Sequence, residues 1–357
     1  MLHAVIMSGG SGTRFWPRSR RDRPKQLQKL IGDTSLLAQS YERLEGLVPA
    51  ERTWIVTNRV QHSRTASQLP AVPATQVLAE PIGRNTAPCI GLAAIHLLDQ
   101  DPDAVMIVMP SDHLISPRED FQQTISRAAE LVAEDSQRLV LLGVPPTRPA
   151  TGYGYIQRGE PLGGDSAGFA VNAFHEKPDR ATAESYIAES NVAWNCGIFV
   201  WRADRILDVL AIHQPEIATG LATIRTELGG DGLDQVAEDV FGGMPAISID
   251  HGVLEHAEGV CLVEAPFAWS DVGSWHALAE TLGSDVHDNT LQGSVVADRA
   301  SGCVILSDDE HLVAATGVKD LVIVHTPDAT LVARRDDEEG LKRLVQLIEE
   351  HGHGGHL

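Results

Sequence analysis

Over its first 145 residues the chain alternates strand-like apolar runs with amphipathic stretches at helical spacing, and this pattern constrains it to βαβ units around a mainly parallel sheet. Strands are expected at Ala4–Met7, Thr53–Thr57, Thr75–Ala79, Ala104–Met109 and Leu139–Gly143. Between them, Leu36–Leu47, Ala87–Leu98 and Phe121–Val132 carry apolar residues at the 3.6 period of a helix with one buried face. Open parallel sheets bind ligands at the carboxyl ends of their strands. The glycine-rich stretch after Met7 and Pro110-Ser111-Asp112-His113 after Met109 are therefore the loops where a site belongs.

From Thr151 to about Leu282 the pattern becomes mixed, with recurrent aromatics at Tyr153, Tyr155, Trp194, Trp201, Trp269 and Trp275. No Pro/Gly/Ser-rich linker separates this stretch from the first half, so it reads as an insertion into, and completion of, the same domain. Beyond Asn289, short and evenly spaced strands are expected at Gly293–Ala297, Cys303–Leu306, His311–Ala315, Leu321–His325 and Thr330–Ala333, the spacing of a small all-β module. A last helix starts near Asp336 as N-cap, with Leu341, Leu344, Val345, Leu347 and Ile348 as its packing face. The closing His351–His356 stretch reads as a frayed, glycine-rich tail that could bind a metal adventitiously. The expected fold is thus α/β: a Rossmann-like domain over residues 1–284 with a mainly parallel central sheet, and a small β-rich module over 285–357.

Charge narrows the partners. The net charge is −21, which argues against a nucleic-acid polymer or an acidic membrane surface, because most of the surface would repel them. The balance is uneven: residues 14–29 hold seven basic residues and one acid. A small anion is the natural partner for so local a cluster. The apolar stretch Ala4–Met7 is too short for a signal segment or a membrane span, so a cytoplasmic location is expected. Cysteines 89, 196, 261 and 303 form no C-x-x-C pair and read as small buried hydrophobes.

Ser8-Gly9-Gly10-Ser11-Gly12-Thr13-Arg14 follows the first strand, where backbone amides can approach phosphate oxygens unobstructed by Cβ atoms. It is not a dinucleotide fingerprint, and the chain lacks the Gly-Lys pair of a Walker A loop. Arg14, Arg18, Arg20 and Lys25 follow at a density that a mere turn does not require, although Arg18, Arg20, Arg21 and Arg23 cannot all face one ligand.

The run GGSGTRFWPRSRRDRPKQ resembles the signature of sugar-nucleotide pyrophosphorylases, and its Trp-Pro and Pro-Lys-Gln elements point to the mannose-1-phosphate guanylyltransferases within them. Further blocks resemble that family in their order: Glu80–Pro88, Pro110–His113, Thr151–Ile156, Phe174–Asp179, Trp194–Phe199, Ser248–Asp250 and Trp269–Trp275. The resemblance implies transfer of GMP from GTP to mannose 1-phosphate with Mg²⁺. It places Arg14 and Lys25 on the triphosphate and the transferring phosphoryl group, and Asp112 and Asp271 on the metal, which takes one or two carboxylates beside phosphates and waters. Ser8, Gly9, Gly10, Gly12, Thr13, Glu80, Arg84, Asn85, Thr86 and Ser111 would hold the nucleotide. A guanine's N–H donors suit a carboxylate acceptor such as Glu80. Asn85–Pro88 also reads as the N-cap and proline start of a helix. Tyr153, Gly154, Glu176, Lys177 and Asn195 would hold the sugar phosphate. His113 and Cys196 are expected to have no catalytic duty, and Trp201 to pack in the core. Related short-form enzymes suggest a left-handed β-helix tail that supports a homodimer, although no clean hexapeptide repeat is visible. The long isomerase-type extension of bifunctional relatives is absent from the sequence, so transferase activity alone is implied. Two alternatives stay open: a guanylyltransferase for heptose or fucose 1-phosphate, and a catalytically silent GDP-mannose-binding regulator.

Overall fold

A computed structural model describes residues 1–10, 12–163 and 167–357; Ser11 of the glycine-rich stretch lies outside the described residues. The chain packs as two compact units. The first comprises Met1–Gly9, Ser40–Ser111 and Ile115–Trp269; the second comprises Gly10–Gln39, Asp112–Leu114 and Ser270–Leu357.

The first unit is built on β1 (Leu2–Met7), β2 (Thr53–Asn58), β3 (Val77–Glu80) and β4 (Val105–Pro110), which lie parallel in the order β3-β2-β1-β4. The inner residues of β1, β2 and β4 are buried on both faces, which is why these strands read as continuous apolar runs instead of alternating ones. The helix Thr86–Gln100 crosses back over them and buries Ile90, Ala93, Ala94 and Leu97. Two short strands, β5 (Leu114–Ser116) and β11 (Ala268–Ser270), stand apart from this sheet.

Beyond β4 the sheet turns mixed. The long strand β9 (Val192–Arg202) runs antiparallel to both β4 and β6 (Leu139–Val144). Next come β10 (Val260–Glu264), parallel to β6, and the antiparallel hairpin of β7 (Gly154–Pro161) and β8 (Phe169–Glu176). The expected parallel sheet is thus the half formed by the first four strands. The antiparallel pairings of the other half follow from the insertion: a chain that leaves β6 and returns through a hairpin approaches the sheet without the helical crossover that parallel pairing requires. Trp201 is fully buried and stacks on Phe199 with ring centroids 5.1 Å apart, a core role as expected.

In the second unit, β12 (Thr290–Gln292), β14 (Val304–Ser307) and β16 (Leu321–Thr326) lie parallel in successive layers that align Leu291, Ile305 and Ile323. Two further strands, β13 (Val295–Asp298) and β15 (Val313–Thr316), form a second parallel pair, and β17 (Ala329–Arg334) closes the stack antiparallel to β16. Parallel pairing between consecutive turns of chain is how a coiled β-module buries short strands that no single hairpin could stabilise. Between the layers lies a core of Val304, Leu306, Val322, Val324 and Leu331, which also takes in Phe15, Trp16 and Trp275.

Two sequence expectations shift in this unit. The last helix, Glu338–Glu350, is capped by Asp337, whose carboxylate accepts from the Gly340 amide at 2.8 Å; Asp336 instead pairs with Arg334. The closing stretch does not fray. Trp16 Nε1 donates to the His356 carbonyl at 2.7 Å, and Leu357 is buried in the same core as Trp16. Among the described residues no cluster of three metal-ligating side chains occurs there or elsewhere, and no helix is long and apolar enough to cross a membrane. All four cysteines are free and buried.

Replacing Trp201 with alanine should lower the unfolding free energy by ~3–5 kcal/mol through loss of buried area and an unfilled cavity. Urea titration followed by circular dichroism measures this, and a loss below about 1 kcal/mol would show the site to be able to collapse.

Candidate active site

The second unit gathers the phosphate-type residues around one cavity of about 530 Å³. Gly10, Gly12, Thr13, Arg14, Lys25, Asp112 and Asp271 all line it, joined by Phe15, His113 and Lys342. The turn Thr13–Phe15 is entered through Gly12 at φ 60°, where a Cβ would stand 2.4 Å from the Lys25 amide nitrogen. Both the left-handed conformation and the close approach demand glycine there. Ser19 Oγ donates to the Gly12 carbonyl at 2.6 Å, and Gln26 Nε2 donates to the Gly10 carbonyl at 3.1 Å.

Lys25 is 5% exposed, and its ammonium donates to Asp112 Oδ2 at 2.8 Å and to the Asp271 carbonyl at 2.5 Å. Burial alone would raise the Asp112 carboxyl. The Lys25 charge, then His113, then the hydrogen bond from Lys25 outweigh it and hold the group below the ordinary aspartate range. Val272, next to Asp271, sits at φ 43°, an outlier for a β-branched residue. Such strain persists where the surroundings over-determine a functional geometry.

Three other cations of the basic segment are paired. Arg18 pairs with Asp308 at 2.6 Å, Arg20 with Asp328 at 2.7 Å and Arg21 with Glu349 at 2.7 Å. These acids all belong to the β-module and its last helix, so much of the basic segment is internally neutralised.

In the first unit, Ser8, Gly9, Glu80 and Ser111 converge at the carboxyl ends of β1, β3 and β4. The Ser111 amide donates to the Met7 carbonyl at 3.0 Å, and Gly9 lies alongside Glu80 Oε2. Glu80 is 4% exposed, and its Oε1 has no hydrogen-bond partner among the described residues. Burial pushes its carboxyl up to about 8. The rest of that block serves the loop itself. Asn85, at φ 69°, accepts from the Thr86 amide; Thr86 Oγ1 accepts from the Ile249 amide; and the Arg84 guanidinium donates to the Phe241 and Gly242 carbonyls. Arg84 is therefore a clamp on the helix Leu233–Phe241 as it stands.

The sugar-type residues form a third cluster, also in the first unit. A Cβ on Gly154 would fall 2.5 Å from Glu176 Oε2, so glycine is what lets that carboxylate approach. Lys177, at φ 48°, pairs with Glu176 at 2.7 Å. Asn195 Nδ2 donates to Asp250 Oδ1 at 2.9 Å, and Tyr153 meets Trp194 and Trp269 edge-on, each at 5.0 Å. Sequence reasoning misses Asp250 as a site residue although its Ser-Ile-Asp block is visible. Burial first, then the neighbouring Glu176 carboxylate, raise it to about 6. Arg148, over the rings of Tyr153 and Trp194, carries no motif signal at all.

Residues 3–287 match the family model described as nucleotidyl transferase. The chain belongs to the nucleotidyl transferase family. Residues 293–347 of this nucleotidyl transferase also match a mannose-phosphate isomerase/GMP-like β-helix domain, in keeping with the parallel stack described above. It is 39% identical over 356 residues to a mannose-1-phosphate guanylyltransferase of Klebsiella pneumoniae, covering 98% of this chain and 74% of that one. The Escherichia coli protein of the same name matches to the same extent. The crystal structure of a Thermus thermophilus protein, described as mannose-1-phosphate geranyltransferase, superposes with a TM-score of 0.86 at 34% identity, covering 98% of this chain and 99% of that one.

The buried Glu80 makes a stability prediction. Its folded value near 8 lies above its ordinary 4.5, so folding takes up a proton, and the penalty for ionising the buried carboxyl grows as pH rises from 4.5 to about 8. Glu80→Gln should therefore match the parent's urea midpoint near the acid end of that window and exceed it increasingly toward the alkaline end. A difference that stays constant with pH would mean that Glu80 is ionised in the folded enzyme.

Proposed function

We propose that this nucleotidyl transferase moves GMP from GTP to mannose 1-phosphate, releasing pyrophosphate. An oxygen of the sugar phosphate attacks the α-phosphorus of GTP; the new P–O bond forms as the bond to the β-phosphate bridging oxygen breaks. No covalent enzyme intermediate is needed, so the protein's part is positioning and charge stabilisation. The observation that carries the reading is the cavity in which Arg14 and Lys25 stand with Asp112 and Asp271.

Arg14 and Lys25 neutralise charge on the transferring phosphoryl and leaving groups, and Lys25 also keeps Asp112 ionised. Asp112 and Asp271 fit Mg²⁺, because two carboxylates beside a cavity of phosphate size are the protein's usual share of its ligands. When bound, Mg²⁺ supplies charge neutralisation at the phosphates. Glu80 is assigned to the guanine N–H donors, with Ser8, Gly9, Gly10, Gly12, Thr13 and Ser111 along the nucleotide and Asn85 and Thr86 fixing the base loop. Lys177 takes the sugar phosphate, and Glu176, Asn195 and the Tyr153–Gly154 turn take the sugar. Residues 1–284 form the catalytic domain, and 285–357 the supporting module. Exposed Leu291, Val296, Leu312 and Val332 on that module support a homodimer, and the enzyme is assigned to the cytoplasm. The names of the relatives favour mannose 1-phosphate over heptose or fucose 1-phosphate, and the intact set of charged residues favours catalysis over a silent regulator.

Pyrophosphate release measured with GTP and a panel of sugar 1-phosphates tests this. Mannose 1-phosphate should give the highest kcat/KM, and faster turnover of another sugar would replace it. Asp112→Asn and Lys25→Ala should each lower kcat by about 100-fold or more with the far-ultraviolet spectrum unchanged. Near-normal turnover in either would remove that residue from the mechanism.

A further inference from the structure

The basic segment leaves a question of charge. Lys25 is committed to Asp112, and Arg18, Arg20 and Arg21 are committed to acids of the module. A triphosphate and the pyrophosphate it releases need cations that are not already neutralised.

Among the described residues, two cations line the catalytic cavity without a carboxylate partner: Arg14 and Lys342. Lys342 lies in the first turns of the helix Glu338–Glu350, far in sequence from every motif block. Its position is fixed by packing. The preceding Leu341 is buried in the same core as Phe15, Trp16 and Trp275, with Leu344, Val345 and Ile348 against it. Asp337 caps the helix, and Arg21 ties Glu349 near its far end. The backbone of Lys342 is thus held beside the turn Thr13–Phe15, while its side chain is exposed and faces the cavity.

We propose that Lys342 is a further phosphate-binding residue of this enzyme, meeting the β- and γ-phosphoryl oxygens together with Arg14. These oxygens gain charge as the bond to the α-phosphorus breaks, so an uncommitted ammonium there stabilises the leaving group. The module then contributes a ligand contact to the reaction as well as support. This assignment rests on the guanylyltransfer reading.

The experiment compares Lys342→Ala, Lys342→Arg and, as a charge control on the same helix, Arg343→Ala in the full-length chain. KM for GTP, for pyrophosphate in the reverse direction and for mannose 1-phosphate are measured, alongside calorimetric binding of inorganic pyrophosphate with Mg²⁺. Lys342→Ala should weaken GTP and pyrophosphate about tenfold while the KM for mannose 1-phosphate stays within about twofold. Lys342→Arg should recover most of the loss, and Arg343→Ala should show none. Unchanged pyrophosphate affinity in Lys342→Ala, or an equal loss in Arg343→Ala, would overturn the assignment. If the parent enzyme fails to turn over GTP with mannose 1-phosphate, the guanylyltransfer reading falls, and the calorimetric comparison still decides whether Lys342 binds pyrophosphate.

Discussion

A buried ammonium organises the second unit. Lys25 is 5% exposed, and its ammonium donates to Asp112 and to the Asp271 carbonyl, each on a segment remote in sequence. An unpaired buried charge costs several kcal/mol, so the three segments cannot drift apart without exposing that cost. The left-handed turn at Gly12 and the strained Val272 follow from the same demand: one lets the loop close on the Lys25 backbone, and the other sets the chain beside Asp271. Any displacement of the glycine-rich loop would therefore alter the electrostatics of Asp112 as well as the shape of the cavity.

The β-module has a matching role. The arginines at positions 18, 20 and 21 read in sequence as a cradle for an anion, yet each is paired with an acid of residues 308–349. Exposed ion pairs contribute little one by one, but the Arg18 and Arg20 side chains are largely buried, so removing either partner acid would leave a cation uncompensated. Trp16 is bonded to His356 of the module, and Phe15 packs on Trp275 just before it, so this part of the chain supports the turn that follows the glycine-rich stretch. Val304 and Val322 share one core with Phe15 and Trp16 of that turn.

Much of this is legible in the sequence. The parallel strands stand out as apolar runs because burial on both faces removes alternation, and the motif blocks contain nearly every charged residue of the three clusters. What stays hidden depends on contacts between distant segments. Strand β12 is three residues long, with only Thr290 buried, too little for a periodic signal. The final helix is expected one residue early because Asp336 and Asp337 are equally good caps until Arg334 claims the first of them. The tail reads as frayed because glycine and histidine carry no packing signal, whereas its docking depends on the Trp16 indole and on Leu357. Arg84 takes its nucleotide assignment from its neighbours, and only the fold reveals that the carbonyls ending the helix Leu233–Phe241 accept its hydrogen bonds.

The carboxylates divide by environment, and the division matches what each must recognise in the proposed reaction. Asp112, beside Lys25 and His113, is held ionised, which suits a group that must attract a divalent cation. Glu80 and Asp250 are buried away from cations that could compensate fully, and both are pushed upward, to about 8 and about 6. A group near its titration point in the free enzyme is sensitive to the donors a ligand brings: guanine N–H groups would satisfy Glu80 Oε1, which has no partner among the described residues, and draw that carboxyl toward its ionised form. Binding of the correct base would then release a proton from Glu80, whereas a base offering an acceptor at that point would leave the proton in place. Selectivity at such a site arises from the cost of an unmet buried acceptor as much as from the bonds formed, and the fold already imposes that cost at Glu80 Oε1.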